Sequence, residues 1–596
     1  MFVSDLPLSA KTIPGLGDIL STGTRIVAGA WPFGEAEEFR NLKVHIMGTT
    51  TTDMLARAIA IGCVQEKIRP HITQSLYGSF MQDVLNPASE FYSIKPDIAV
   101  IVSDWRSLVA DIPASTSEED VSALIDKKAN EILSMWRRIS QNCGAKIIHH
   151  FPPPPQFRLT GIAEQYLPSS YTNQLQQLLR RLWAAETFGV QIIDFGRFAL
   201  EYGNTAAFAP RSWYSAKLPI ENSALPAYVP LFRSALRGAL NTVKKALVLD
   251  LDNTLWGGVI GDDGVDGIKI GSGDAVSEAY AAFQSYVKLL ADRGIILAVC
   301  SKNNPDIART GFDKPGSILK VSDFAAFEAS WGDKASGLRK IAKQLNIGLD
   351  ALVFVDDNPA ECTLVQQELP QIGTVHLDGD PADFIAQVEQ GYWFQFQKYS
   401  RDDFARTQAY AMRAAALAEQ DDASDLPSYL RSLEMVGQAV RPSEGQIERV
   451  VQLGQKTNQF NLLTQRFDEQ TVRGFMADDG NVVLACSLKD KFGDHGLVSV
   501  LIAQKQNDDL DIVEWTMSCR VFSRTFEQFI MNELIRIAQE KNVRRIVGRF
   551  KATAKNSVVA DLYERLGFVR EGDDLWVLEL AGVTEPLETY VTAVSA

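Results

Sequence analysis

Two aspartates spaced by two, Asp250 and Asp252, follow the short apolar run Ala246-Leu-Val-Leu and precede Thr254. The run reads as a buried strand, and carboxylates at i and i+2 on its tip point roughly the same way. Their repulsion is most simply neutralised by a divalent cation with oxygen ligands. One carboxylate can then attack phosphorus while the other handles the proton. Downstream, Gly294-Ile-Ile-Leu-Ala-Val-Cys-Ser301 is a second apolar run ending in a hydroxyl, continued by Lys302 and Asn303. Lys334 opens a helical stretch after Trp331-Gly-Asp, and Ala351-Leu-Val-Phe-Val delivers the acidic pair Asp356 and Asp357.

Three strands, each tipped by polar residues and separated by helical patterns, describe a doubly wound parallel sheet. Such sheets gather reactive groups at the carboxyl ends of their strands. The order nucleophile strand, hydroxyl, lysine, acidic pair resembles the haloacid dehalogenase (HAD) superfamily of phosphatases and phosphotransferases. That resemblance implies Asp250 as nucleophile and Asp252 as general acid and base. It implies phosphate contacts from Thr254, Ser301, Lys302, Asn303 and Lys334, and Mg²⁺ held among Asp250, Asp252, Asp356 and Asp357. Asp252 also implies phosphoryl chemistry rather than dehalogenation. Between Asp250 and Ser301 there is room for a flap, Trp256 to Gly264, and one helix. Neither this interval nor Lys334 to Asp356 holds a lid of ordinary domain size, about 50–150 residues, so an open, capless site is expected.

At 596 residues the chain exceeds a single core and calls for three or four domains. Its hydrophobic fraction of 46% and charged fraction of 22% are those of an ordinary globular protein. No apolar run approaches the ~20 residues of a membrane span, and the N-terminus lacks the pattern of a secretory signal. Six scattered cysteines make no C-x-x-C pair, so a reducing cytoplasm is expected. A net charge of −15 argues against general nucleic-acid binding.

Residues 1–235 read as a first α/β unit. Strands are expected at Leu42 to Met47, Pro96 to Asp104 and Ala145 to Phe151, with helices at Val121 to Ser140 and Gln174 to Phe188. The strand–turn–hydroxyl start resembles the SGNH hydrolase fold. Thr50 or Thr51 stands where that fold has its serine, and no Asp-x-x-His pair is evident near Trp213 to Lys217. A threonine without a base is a poor nucleophile, so a degenerate, binding or structural unit is expected. Residues 243–395 hold the phosphotransfer unit, and 396–429 read as a helical connector.

Residues 430–582 form the third unit, with strands expected at Asn481 to Leu488, Gly496 to Gln504, Leu510 to Met517, Arg545 to Phe550 and Leu575 to Leu580. Helices are expected around Ser443 to Gly454 and at Phe526 to Lys541. This order, with Tyr563-Glu-Arg-Leu-Gly-Phe568 before the last strand, resembles the GNAT acyltransferase fold. GNAT enzymes usually cradle a pyrophosphate in a glycine-bearing turn. Here the turn is Arg520-Val-Phe-Ser-Arg524-Thr, which disfavours free acetyl-CoA and leaves Arg520 and Arg524 for the phosphate of a carrier-bound arm. Cys519, at a strand end beside Arg520, is either a reactive thiolate or a small buried hydrophobe. His495 is either part of a turn or a base for Cys519. The basic stretch from Arg536 to Arg545, continuing to Arg549, Lys551 and Lys555, is either a docking face for an acidic carrier or a solvated surface.

The combination of an SGNH-like unit, a capless phosphatase unit and a GNAT-like unit resembles the FkbH-like family. Local signatures are Asp250-Leu-Asp-Asn-Thr-Leu-Trp-Gly-Gly-Val-Ile-Gly-Asp-Asp-Gly264, Phe354 to Pro359, Lys456 to Asn461, Phe492-Gly-Asp494 and Ser518-Cys-Arg520. The resemblance implies removal of phosphate from 1,3-bisphosphoglycerate. It also implies loading of glycerate, through a thioester that Cys519 could form, onto an acyl carrier protein in polyketide or surface-polysaccharide biosynthesis. A phosphatase with recognition domains, and a carrier-binding scaffold, are the alternatives.

Overall fold

The computed structural model describes residues 13–33, 39–185, 190–395, 426–457, 459–491, 493–518, 521–522, 524–553, 556–572 and 574–594. The expected connector at Arg401 to Glu419 lies outside them. The described residues fall into two compact units. One is drawn from Met1–Lys244, Gln366–Gly373 and Ile385–Lys398, the other from Lys245–Val365, Thr374–Phe384 and Tyr399–Ala596.

The first unit holds a five-stranded sheet in the order β2-β1-β3-β4-β5, parallel throughout. Its strands are β1 (Arg40–Gly48), β2 (Ile68–Gln74), β3 (Ile98–Val102), β4 (Lys146–Phe151) and β5 (Val190–Asp194). β3, Ile-Ala-Val-Ile-Val, is buried at every position, as a central parallel strand covered on both faces requires. Helices Asp53–Gln65 and Leu225–Leu240 share one apolar cluster with the sheet, and Glu118–Cys143 and Tyr171–Ala184 share another. Gly48 ends β1 against β3 so closely that a Cβ there would lie 2.1 Å from the Val102 carbonyl oxygen. Only glycine lets the two strand ends approach this far. A buried cluster closes the unit: Arg233 donates to Glu66 at 2.7 Å, and the Arg237 guanidinium lies 5.0 Å from the Trp393 ring centroid.

The second unit contains a five-stranded sheet in the order β10-β9-β6-β7-β8. β6 (Ala246–Leu249) is central and pairs in parallel with β7 (Ile296–Ser301) and β9 (Leu352–Asp356). β8 (Ala326–Ala329) and β10 (Gly373–His376) lie at the edges. Between Asp250 and Ser301 the chain forms the short helix Ile260–Gly267, broken at Gly264 with φ 65°, and the long helix Ala275–Asp292. Only the helix Lys334–Leu345 and a 3₁₀ turn separate Lys334 from β9. The capless expectation holds for both intervals.

The same unit carries a larger mixed sheet, β17-β18-β16-β15-β14-β13-β11-β19, with β12 (Phe460–Asn461) pairing β15. Its members are β11 (Val436–Val440), β13 (Val482–Asp490), β14 (Gly493–Gln506), β15 (Asp509–Met517), β16 (Arg545–Arg549), β17 (Val569–Arg570), β18 (Leu575–Glu579) and β19 (Thr592–Ala593). β15 pairs with parallel β16 only over Asp509–Asp511, and its far end meets β12 at Thr516 and Met517. Helix Phe526–Glu540 packs into the core of this sheet through Phe526, Phe529, Ile530, Met531 and Leu534. All three sheets lie in an α/β chain of several domains.

Candidate active site

The carboxyl end of the second parallel sheet concentrates charge. Asp250 leaves β6 with its backbone N–H on the Val355 carbonyl (3.0 Å), which locks it to the end of β9. Lys334 is buried at the first position of its helix, where Asp333 caps the turn by accepting from Ser336 N. Its Nζ stands 2.5 Å from Asp250 Oδ1 and 3.0 Å from Asp356 Oδ2, and donates to the Cys300 carbonyl at 2.7 Å. Burial opposes the ammonium, but the Asp250 and Asp356 carboxylates outweigh it and raise the lysine above its ordinary range. Lys334 is therefore a fixed positive charge.

Asp250, Asp356 and Asp357 each bring one carboxylate oxygen to within 4.8 Å of the others. Three carboxylates against one ammonium leave an excess of negative charge. Burial, reinforced by Asp250, pushes Asp356 up to about 7, and burial likewise raises Asp357. Asp356 Oδ2 is buried 3.0 Å from Lys334 Nζ and has no further partner among the described residues. A hard divalent cation with oxygen ligands fits both the charge and the three carboxylate oxygens that face one another. Thr254 is fully buried beside this group, its hydroxyl 3.4 Å from Asp357 Oδ1.

Asp252 is held differently. Its Oδ1 accepts from Trp256 Nε1 (2.9 Å) and Ile260 N (3.0 Å), and its Oδ2 accepts from Asn303 Nδ2 (3.0 Å). Its carboxylate, expected among the metal ligands, is not part of the three-carboxylate group and is fixed in orientation by three donors. Burial is the main reason its carboxyl titrates above the usual range, which favours the protonated form a general acid needs.

Ser301 ends β7 and is buried. Two neighbours were expected on substrate, and the structure gives them other partners. Asn303 holds Asp252, and Lys302 Nζ pairs with Glu361 Oε1 at 2.5 Å. The flap is shaped locally: Asn253, at φ 53°, accepts from Gly258 N, and Asp263 accepts from Val259 N.

In the C-terminal sheet, Cys519 and Arg520 lie outside the described residues. His495 is buried, and its Nε2 is 2.8 Å from Asp490 Oδ2. Its Nδ1 is buried without a hydrogen-bond partner among the described residues. Arg524, expected at a carrier phosphate, is instead buried on the Asp490 carboxylate. Asp490 thus joins His495, five residues on across the β13–β14 hairpin, to Arg524, which only tertiary folding brings there from the turn before a helix. Glu514, on β15, is pushed up to about 8 by burial. The basic stretch is laced with acids. Arg536 pairs with Glu533 and Glu540, and Arg545 with Asp509 at 2.9 Å. A solvated, internally neutralised surface accounts for these pairs.

In the N-terminal sheet, Thr51 donates to the Ala216 carbonyl (2.5 Å), and the Thr50 hydroxyl is buried without a partner among the described residues. His150 lies between the Ile101 carbonyl and the Tyr228 hydroxyl, so it activates neither threonine.

The family described as FkbH, N-terminal domain, matches residues 43–230 by its sequence model. Among solved structures, the N-terminal part of a Bacteroides fragilis protein containing a phosphatase domain, complexed with Mg, is similar. It is 28% identical with a TM-score of 0.55, and the match covers 65% of this chain and 100% of that one. The ribosomal-protein-S18-alanine N-acetyltransferase of Escherichia coli matches 26% of this chain and 99% of its own, at 13% identity and TM-score 0.20. A GNAT-family acetyltransferase from Staphylococcus aureus matches 24% of this chain and 99% of its own, at 9% identity and TM-score 0.20. No curated protein matches the sequence. Residues 43–230 thus match the FkbH N-terminal domain, and the parallel sheet that follows carries acidic strand ends around Lys334.

Proposed function

We propose that this chain is a Mg²⁺-dependent phosphatase of the HAD type, joined to an acyltransferase-like domain. The observation that carries the reading is Lys334 bridging Asp250 and Asp356 beside Asp357, with Asp252 held by Asn303 at the same sheet edge. Asp250, Asp356 and Asp357 would hold the Mg²⁺, which when bound offsets charge on the phosphoryl oxygens. Asp250 attacks the phosphorus of a phosphomonoester, an O–P bond forms, and the bond to the leaving oxygen breaks. Asp252 protonates that oxygen, then takes a proton from the water that attacks the aspartyl-phosphate and frees Asp250. Lys334 keeps its positive charge throughout.

The finer reading concerns the substrate. The Cys519 thiolate attacks the acyl carbon of 1,3-bisphosphoglycerate. A C–S bond forms, the C–O bond to the acyl phosphate breaks, and phosphate leaves. Asp250 removes the second phosphate, and the glyceryl unit passes to the thiol of an acyl carrier protein in polyketide or surface-polysaccharide biosynthesis. Cys519 is assigned from sequence. Support for a base comes from His495, whose Nε2 is fixed by Asp490 and whose Nδ1 has no partner among the described residues, the arrangement in which a carboxylate orients a histidine to accept a proton. The five described cysteines are unbridged, in keeping with a reducing cytoplasm. Among the described residues, no helix is long and apolar enough to cross a membrane.

A second reading, a phosphatase whose outer domains serve recognition, is favoured by Arg524 being committed to Asp490. Intact-mass spectrometry after incubation with Mg²⁺ and enzymatically generated 1,3-bisphosphoglycerate separates the two. A glyceryl adduct lost in Cys519→Ala supports transfer. Phosphate release from simple phosphomonoesters with no adduct supports the phosphatase alone.

A further inference from the structure

A Ser–His pair lies at the carboxyl edge of the N-terminal sheet, outside the phosphatase site. Ser103 Oγ is 2.7 Å from His149 Nε2, and both side chains are buried. The spacing is that of a nucleophile and its base, but the proton stands on the wrong atom. Trp136 Nε1 is 3.2 Å from His149 Nδ1. An indole N–H can only donate, so Nδ1 must be the acceptor. Burial, with His150 beside it, pushes His149 down to about 3, so the ring is neutral and carries its single proton on Nε2. That proton is donated to Ser103. The histidine therefore cannot accept the serine's proton, and Ser103 keeps its own O–H free to donate elsewhere.

Ser103 lines a cavity of about 140 Å³. The cavity sits where the strand order reverses: Thr50 follows β1, Ser103 follows β3 and Pro152 follows β4. The crevice outside the strand ends at such a reversal is where open α/β sheets bind ligands. Two more polar groups on its lining lack partners among the described residues, the Thr50 hydroxyl (Thr50 being 3% exposed) and Asn204 Oδ1. The walls are aromatic. The Arg106 guanidinium lies 4.4 Å from the Trp105 ring centroid and 4.5 Å from that of Trp213, and Tyr214 stands exposed beside them. Asp104 accepts from Arg106 at 2.9 and 3.1 Å, so the wall presents little net charge.

We propose that this cavity is a binding site, without hydrolysis, for a neutral ligand that carries hydroxyl or secondary amide groups on an apolar body. Ser103 and Thr50 donate, Asn204 accepts, and the Trp105–Arg106–Trp213 stack covers the apolar face. Hydroxyls and secondary amides both supply the donor and acceptor pairing these groups lack. A charged ligand finds no uncompensated partner there. Two sources share this chemistry, a sugar ring and a pantetheine arm. The site is independent of the phosphatase reading.

The test uses the full chain. Isothermal titration with pantetheine and, separately, with methyl β-glucopyranoside asks which source binds. Saturable binding of either, weakened about tenfold by Trp213→Ala, is expected, since an aromatic contact contributes about 0.5–1.5 kcal/mol. Tyr214→Ala, at an exposed position, keeps the test valid if Trp213→Ala misfolds, and it should weaken the same probe. Binding of neither probe, or undiminished binding to both folded variants, overturns the site. An esterase activity toward p-nitrophenyl acetate that disappears in Ser103→Ala overturns the non-hydrolytic assignment.

Discussion

Lys334 Nζ stands between Asp250 and Asp356, 2.5 Å from an oxygen of the first and 3.0 Å from an oxygen of the second. The lysine comes from a helix start and the two acids from the ends of β6 and β9, so one buried ammonium ties together the elements that converge on the reacting atoms. Removing it leaves three neighbouring carboxylates with no cation paired to them among the described residues.

Lys334→Met should therefore destabilise the folded protein by about 3–5 kcal/mol, as expected when one partner of a buried ion pair is lost. Mg²⁺ should restore more stability to this variant than to the wild type, because the three carboxylates retain their oxygens. Thermal unfolding with EDTA and with millimolar Mg²⁺ checks both. An unchanged melting temperature in EDTA would contradict the ion-pair geometry.

Asn303→Ala should lower kcat about 10- to 100-fold with little change in KM, since a misplaced catalytic group costs rate rather than affinity. The lost amide N–H is one of three donors to the Asp252 carboxylate. Without it the ionised form is less stabilised, so Asp252 should titrate higher and the alkaline fall in kcat/KM should move to higher pH. A slower enzyme with an unshifted pH profile would reduce Asn303 to a structural residue.

Much of this site was legible because each acid, hydroxyl or lysine follows an apolar run or opens a helix. Asp250, Ser301 and Asp356 each stand at the end of a run buried at every position. What escaped depends on tertiary meeting. Asn303 looked like a substrate ligand, and only folding shows its amide on Asp252. Asp490 sits at the end of a strand that reads correctly, five residues before His495, yet nothing local links either to Arg524. β2 was missed because Ile68-Arg-Pro-His-Ile-Thr-Gln carries Pro70 and polar residues, which an edge strand tolerates and a central one does not. β8 and β10, four residues each, are too short for a periodic signal. The Ser103–His149 pair could not be read at all, because its inactivity turns on a third residue, Trp136, on a separate helix.

The buried histidines predict acid sensitivity in the first unit. Burial pushes His149 down to about 3 and His150 to about 4. In the unfolded chain both take up protons as pH falls through about 6.5, while the folded forms stay neutral to much lower pH. Their stabilising contribution is present above about 6.5 and is lost as pH falls below it, by about 2 kcal/mol per histidine at pH 5. Hydrogen exchange of β4, corrected for the intrinsic pH dependence, should show weaker protection at pH 5 than at pH 7. Equal protection would mean that these rings carry their charge inside the fold.

The central claim is that Asp250 is the nucleophile of a phosphatase. Its most direct test is borohydride trapping during turnover of a phosphomonoester with Mg²⁺, followed by peptide mass spectrometry across β6. An aspartyl-phosphate at Asp250 is reduced to homoserine, and that product should appear at position 250 only when substrate and Mg²⁺ are both present. It should be absent from Asp250→Asn, which should also release no phosphate. Phosphate release with no modification at Asp250, or release at the wild-type rate by folded Asp250→Asn, would contradict the account.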